Sequence, residues 1–257
     1  MRQFILNYQG TKYNESKNIN EIDFNKYDTI IECFGGSFGL IRYLYYDLQI
    51  TDKKFIVYDI NKEMIDFYNH IKYLSKDERI DFVDKYNEIN TEIFEKFKTN
   101  KDKSQITLKP TIEYLNNLDI NKSLLFLLKH NIKSSPISRV YYKTKLDNDI
   151  FDKITFIHKP IQSINFNNYD EKTLVYLDPP YLYECNSYYI DDDSNNKSFM
   201  MSIINLFEDC KVNVMLVHSF NDLLHYVFKK WFYKMYPKKY NNTSKKVDHV
   251  IYFKILY

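Results

Sequence analysis

The residues best suited to chemistry stand together as Asp-Pro-Pro-Tyr at 178–181, directly after the apolar run "TLVYL". Pro179 and Pro180 fix φ and remove two N–H donors, so the backbone there is stiff and presents carbonyls. The Asp178 carboxylate and the Pro179 carbonyl together make two acceptors aimed at one place. That pair suits a donor carrying two hydrogens, an exocyclic NH₂. Tyr181 adds an aromatic face on which a planar base can stack. A plain strand-ending turn is the alternative, but the tetrapeptide is expected by chance in only about one chain of this length in a thousand.

A second cluster lies near the other end. All four glycines fall between residues 10 and 39: Gly10 in "NYQGTK", then Gly35, Gly36 and Gly39 in "ECFGGSFG". Glycines placed after a buried strand and before a helix allow a tight turn, and they let a ligand approach the backbone beside free helix N–H groups. About twenty residues on stands Asp59, positioned to bind the two hydroxyls of a ribose. A glycine turn beside a helix-capping aspartate is the bland reading. The spacing is neither G-x-G-x-x-G nor a P-loop, so a nucleoside fits better than a polyphosphate.

These residues need a scaffold, and the periodicity supplies one. Apolar runs at 27–34, 53–60, 153–158, 172–178 and 211–219 read as strands. Amphipathic stretches at 37–48, 61–74, 194–210 and 221–232 read as helices, with Asn61 as an N-cap. A parallel sheet covered by helices is expected, closed by an antiparallel hairpin after residue 232. From 75 to 150 the pattern becomes helical and polar, which predicts an inserted, mainly helical lobe. The expected division is 1–74 with 151–257 as one domain and 75–150 as the insertion.

Composition limits the rest. The 257 residues contain no alanine and carry a net charge of +2, so a basic patch must come from arrangement, not from overall charge. Cys33, Cys185 and Cys210 share no metal-binding spacing, and the histidines show none either. No metal site and no disulfide framework are expected, and a reducing compartment is favoured. No run approaches the ~18 apolar residues of a membrane span, and the first ten residues are too weakly apolar for a signal peptide. The expectation is a soluble protein of the cell interior.

Taken together, the chain resembles the Dam-like, alpha-class DNA adenine N6-methyltransferases, which use S-adenosylmethionine. "NYQGTK" is similar to the family's amino-terminal cofactor motif, with Tyr8, Gly10 and Lys12 at its positions. "IIECFGGSFGL" resembles the glycine motif, in which Cys33, Phe34, Gly35 and Gly36 line the cofactor. "VYDINKEMIDFY" resembles the segment whose acid, here Asp59, holds the ribose. "LVYLDPPYL" matches the catalytic motif, and "KKVDHVIYFK" resembles the closing strand. Ile161, in "FIHKPIQSI", falls where the family places an apolar residue beside the cofactor adenine.

The resemblance implies a Rossmann-like α/β methyltransferase sheet with target recognition between the glycine and catalytic motifs. It further implies a flipped adenine stacked on Tyr181, its N6 amine donating to Asp178 and the Pro179 carbonyl, with double-stranded DNA as partner. Within the insertion, Arg139, Lys143 and Lys145 interleave with aromatic residues and suit contact with DNA; a solvated loop is the other reading. "KKWFYKMYPKK" suits a phosphate backbone or a charged sheet edge. Three alternatives share these motifs: adenine in RNA, the N4 amine of cytosine, and a silent nucleic-acid-binding relative.

Overall fold

Burial on both faces favours apolar residues along a strand, and two mainly apolar runs are buried at every residue: "TLVYL" and "NVMLVHS". They form the middle of a seven-stranded sheet in a mixed α/β protein. The computed structural model describes residues 6, 13, 15–19, 21–98, 106–134, 148–180, 193–239 and 246–256. Its elements run β1 (Thr29–Cys33), α1 (Gly39–Tyr46), β2 (Lys54–Asp59), α2 (Lys62–Tyr73), α3 (Lys76–Phe97), α4 (Leu108–Asn116), α5 (Lys122–Ser134) and α6 (Asn148–Lys153). They continue with β3 (Ile154–His158), β4 (Thr173–Leu177), α7 (Asp193–Asp209), β5 (Asn213–Ser219), α8 (Asp222–Phe228), β6 (Phe232–Lys239) and β7 (Lys246–Lys254).

The strand order is β3-β2-β1-β4-β5-β7-β6. Pairs β1–β2, β1–β4 and β4–β5 are parallel, whereas β7 runs antiparallel to both β5 and β6. The chain moves outward from β1 to β2 on one side and resumes at β4 on the other. The carboxyl ends of β1 and β4 therefore flank the switch point where open α/β sheets bind ligands.

Two helices are shorter than the periodicity predicts. Phe38 has a φ of 40°, so α1 begins only at Gly39, after the expected start at 37. The expected helix over 221–232 ends at Phe228, and Phe232 instead pairs with Phe253 in the sheet. The run Trp-Phe-Tyr at 231–233 has the bulk that a pleated surface accommodates better than a helix. Asn61 does cap α2, its side chain accepting from Met64 N at 3.0 Å.

The contacts divide the chain into two compact units. One holds Gly36–Gly39 and Asn61–Phe156, the other Tyr13–Gly35, Leu40–Ile60 and Ile157–Tyr257. In the first, rings from Phe38, Tyr68, Phe151 and Phe156 pack edge-on or tilted at 4.9–6.2 Å. Ser75 and Glu78 close a capping box at the start of α3. The buried Arg79 donates to Lys72 O at 2.7 Å and pairs with Asp152 at 2.8 Å.

In the second unit, Ile31, Cys33, Ile56, Val175, Leu177, Val214 and Leu216 project from one sheet face. Met200, Ile203 and Phe207 of α7 and Leu224 and Phe228 of α8 fill against them. At the end of α7, the buried Lys254 Nζ donates to three carbonyls, those of Phe207, Glu208 and Cys210, at 2.5–2.9 Å. A cation there meets the negative end of the helix dipole.

Candidate functional site

Strand register brings the sequence-predicted residues together. Cys33, the last residue of β1, is level with Tyr58 of β2 and with Leu177 of β4. One step further along each strand stand Phe34, Asp59 and Asp178, three neighbours on the carboxyl edge. Asp59 is buried, at 8% exposure, and Asp178 is half-buried above the buried Pro179.

The turn after β1 carries the backbone strain expected of it. Phe34 has a φ of 58° and Gly36 of 46°, the left-handed region that disfavours a side chain such as phenylalanine. Holding Phe34 there costs about 1–2 kcal/mol. Its ring packs edge-on against Phe199, with centroids 5.7 Å apart. Gly35 is required for a different reason. Its N–H donates to Tyr58 O at 3.1 Å, and a Cβ on it would overlap Val57 Cγ1. The glycine lets the turn cross directly over β2.

The residues leading to Ile161 are tied to this edge by one backbone and one side-chain bond. Lys159 N donates to Asp59 O at 3.0 Å, and His158 Nε2 donates to Ile60 O at 3.0 Å. Ile161 is buried in the same cluster as Cys33 and Tyr58. Tyr8, Gly10, Lys12 and Tyr181 lie outside the described residues, as do Arg139, Lys143 and Lys145.

Glu32 is a residue that sequence reasoning passed over. It lies on the β1 face opposite Cys33, only 3% exposed. Its carboxylate accepts from Leu40 N at 3.3 Å and Ile41 N at 3.0 Å, the opening amides of α1. Burial pushes its carboxyl up to about 8. Asp178 adds to the rise, while the two amides and Arg42 oppose it. The Arg42 guanidinium in turn stands 4.9 Å over the Tyr13 ring. A charged residue inside the otherwise apolar run "TIIECF" was the available signal.

Two further features bear on chemistry. Burial, then Glu32 and Asp59, hold the Cys33 thiol well above its usual range, so it is a neutral wall and not a nucleophile. Ile60, directly after Asp59, is 68% exposed, a large apolar surface presented beside a carboxylate. Among the described residues, no three His, Cys, Asp or Glu side chains gather to hold a metal ion. No helix among them is long and apolar enough to cross a membrane.

The basic stretch near the carboxyl end is largely neutralised. Lys230 pairs with Glu208 at 2.6 Å, Lys234 with Glu21 at 2.7 Å and Lys238 with Glu15 at 2.6 Å. Lys229 lies 4.6 Å over the Tyr226 ring. These contacts favour the charged-edge reading of that stretch.

The fold defines an α/β protein with a Rossmann-like sheet whose carboxyl edge carries Asp59 and Asp178. No family model matches the chain. In an alignment of 199 positions that covers 71% of the chain, it is 25% identical to the type II methyltransferase M.FokI of Planomicrobium okeanokoites. The aligned part spans 29% of that relative's length.

Proposed function

We propose that this chain is an S-adenosylmethionine-dependent DNA methyltransferase that modifies the N6 amine of an adenine flipped from the duplex. One observation carries the reading: the register that aligns the glycine turn, Asp59 and Asp178 on adjacent strand ends at the switch point. The similarity to a type II methyltransferase supports the same class.

The residues present fit the cofactor. Asp59 suits the ribose hydroxyls, and exposed Ile60 offers apolar surface for the adenine ring, with Ile161 buried behind the same edge. The acids Asp59 and Asp178 at the strand ends suit a cation. When bound, S-adenosylmethionine supplies a methyl group on a positively charged sulfur.

The chain's own contribution is positioning. Asp178 and the Pro179 carbonyl accept the two hydrogens of the target amine, which draws its lone pair out of ring conjugation. The two prolines hold those acceptors without reorganisation, so orientation and fixed electrostatics carry the catalysis. Tyr181 stacks the flipped base.

The test is methyl incorporation from labelled S-adenosylmethionine into unmethylated duplex DNA, with nucleosides identified by mass spectrometry. N6-methyladenine is expected with the intact protein and none with Asp178→Ala, which still binds cofactor. Full activity in that variant overturns the mechanism, and N4-methylcytosine as the product overturns the choice of base.

A further inference from the structure

A residue held against its backbone preference persists only where its surroundings keep it there, and such residues gather at ligand sites. Phe34 is one of them. It stands one step past β1, between Asp59 and Asp178, with a φ of 58° that suits glycine and disfavours a side chain. The next two residues are glycines, yet the strained place carries an aromatic ring.

What holds Phe34 comes from α7. The Phe199 ring meets the Phe34 ring edge-on, with centroids 5.7 Å apart and planes at 83°, a favourable arrangement for an aromatic pair. Both rings are half-buried and lie against the cluster that holds Cys33 and Ile161. Met200 and Ile203 of the same helix are buried in that cluster, so α7 stays on the sheet without the Phe199 ring. The Phe34 backbone in turn aims the next amide: Gly35 N–H donates to Tyr58 O at 3.1 Å, directly before Asp59. Contacts therefore run unbroken from Phe199 through Phe34 to the end of β2.

We propose that Phe199 is a positioning residue for the cofactor site: its ring keeps Phe34 left-handed and so fixes the turn between Asp59 and Asp178. This deepens the methyltransferase reading and rests on it. Without the ring, Phe34 relaxes toward extended backbone, Gly35 N–H leaves Tyr58 O, and the binding-competent turn becomes the minor state. A left-handed residue other than glycine is disfavoured by roughly 5- to 30-fold, so apparent affinity falls by about tenfold, in proportion to the competent fraction. A ring that only filled the core would lower stability and leave the affinity of the folded protein alone.

Isothermal titration of the full chain with S-adenosylmethionine and with S-adenosylhomocysteine reads this, in a cycle of Phe199→Ala, Phe34→Gly and the double variant. Phe199→Ala is expected to bind both ligands about tenfold more weakly, since the turn and not the charge has changed. Glycine at position 34 takes the left-handed conformation unaided, so in the Phe34→Gly protein Phe199→Ala should change affinity by less than about twofold. Phe199→Leu keeps the core filled but withdraws the ring edge; it should lose about threefold, and it serves the same cycle if the alanine variant does not fold. In turnover with duplex DNA, Phe199→Ala should raise KM for the cofactor and keep kcat within about twofold, because saturating ligand restores the competent turn. Undiminished affinity in a folded Phe199 variant overturns the proposal, and so does an equal loss in the Phe34→Gly background. Binding of neither ligand to the intact protein instead overturns the methyltransferase reading on which it stands.

Discussion

Gly35→Ala tests why the turn after β1 is built as it is. The added Cβ would lie closer to Val57 Cγ1 than the 3.0 Å that real Cβ atoms respect, while its approach to Tyr58 O, 3.5 Å, is ordinary contact. Val57 is fully buried in β2 and branched at Cβ, so its χ1 has little freedom to turn away. The overlap must be relieved by moving backbone, at about 1–3 kcal/mol. With a urea m-value of about 2–3 kcal/mol/M for a chain of this size, the unfolding midpoint should fall by roughly 0.5–1 M. Val57→Ala alone should cost about 2 kcal/mol by lost burial and the cavity it leaves. The double variant should be more stable than the sum of the two losses by about 1 kcal/mol or more, because the clashing methyl is gone. Strict additivity in urea denaturation refutes the steric argument. So does a Gly35→Ala protein of undiminished stability that has lost cofactor binding, which would mean the glycine serves ligand approach alone.

The remaining predictions concern charge. Lys254→Met should lower stability by about 2–4 kcal/mol in denaturant melts, since three carbonyls at the end of α7 lose a buried ammonium donor. A loss below about 0.5 kcal/mol would show that water replaces it. Glu32 has a folded carboxyl raised to about 8, above its unfolded value, so the folded state holds the proton more tightly. Its contribution is therefore fully present below about pH 4.5 and declines as pH rises toward 8, by at most about 1.4 kcal/mol per unit. Glu32→Gln should flatten that part of the stability–pH curve; an identical slope in both proteins rejects the assignment. Asp178→Ala should abolish transfer while leaving cofactor affinity within about tenfold, as read by titration.

What was legible in the chain follows from locality. The strands β1, β2, β4 and β5 announce themselves because burial on two faces leaves no polar period to confuse. Asn61 was readable as a cap because its partner is three residues away. Asp59 and Asp178 stood out because each ends an apolar run, and parallel register then sets them level. Glu32 was not, because its partners are eight and nine residues ahead across a turn with left-handed residues. Arg79 was hidden for a stronger version of the same reason, since Asp152 lies 73 residues away. The premature end of α8 shows tertiary pairing overriding a helical period: Phe232 and Tyr233 find Phe253 and Tyr252 across the sheet.

The sheet order has a consequence for how the protein is assembled. β7 sits between β5 and β6, yet β6 comes before it in the chain. During synthesis β6 therefore emerges with no neighbour to join, carrying Phe232, Tyr233 and Met235 that remain substantially exposed even in the finished fold. It enters the sheet only when β7 has docked on the fully buried β5. A ribosome stalled before Lys246 would hold a nascent chain with two strands missing from its sheet and a long apolar edge open to any passing partner. The lysines and Pro237 spaced along β6 are residue types that disfavour pairing at an open edge.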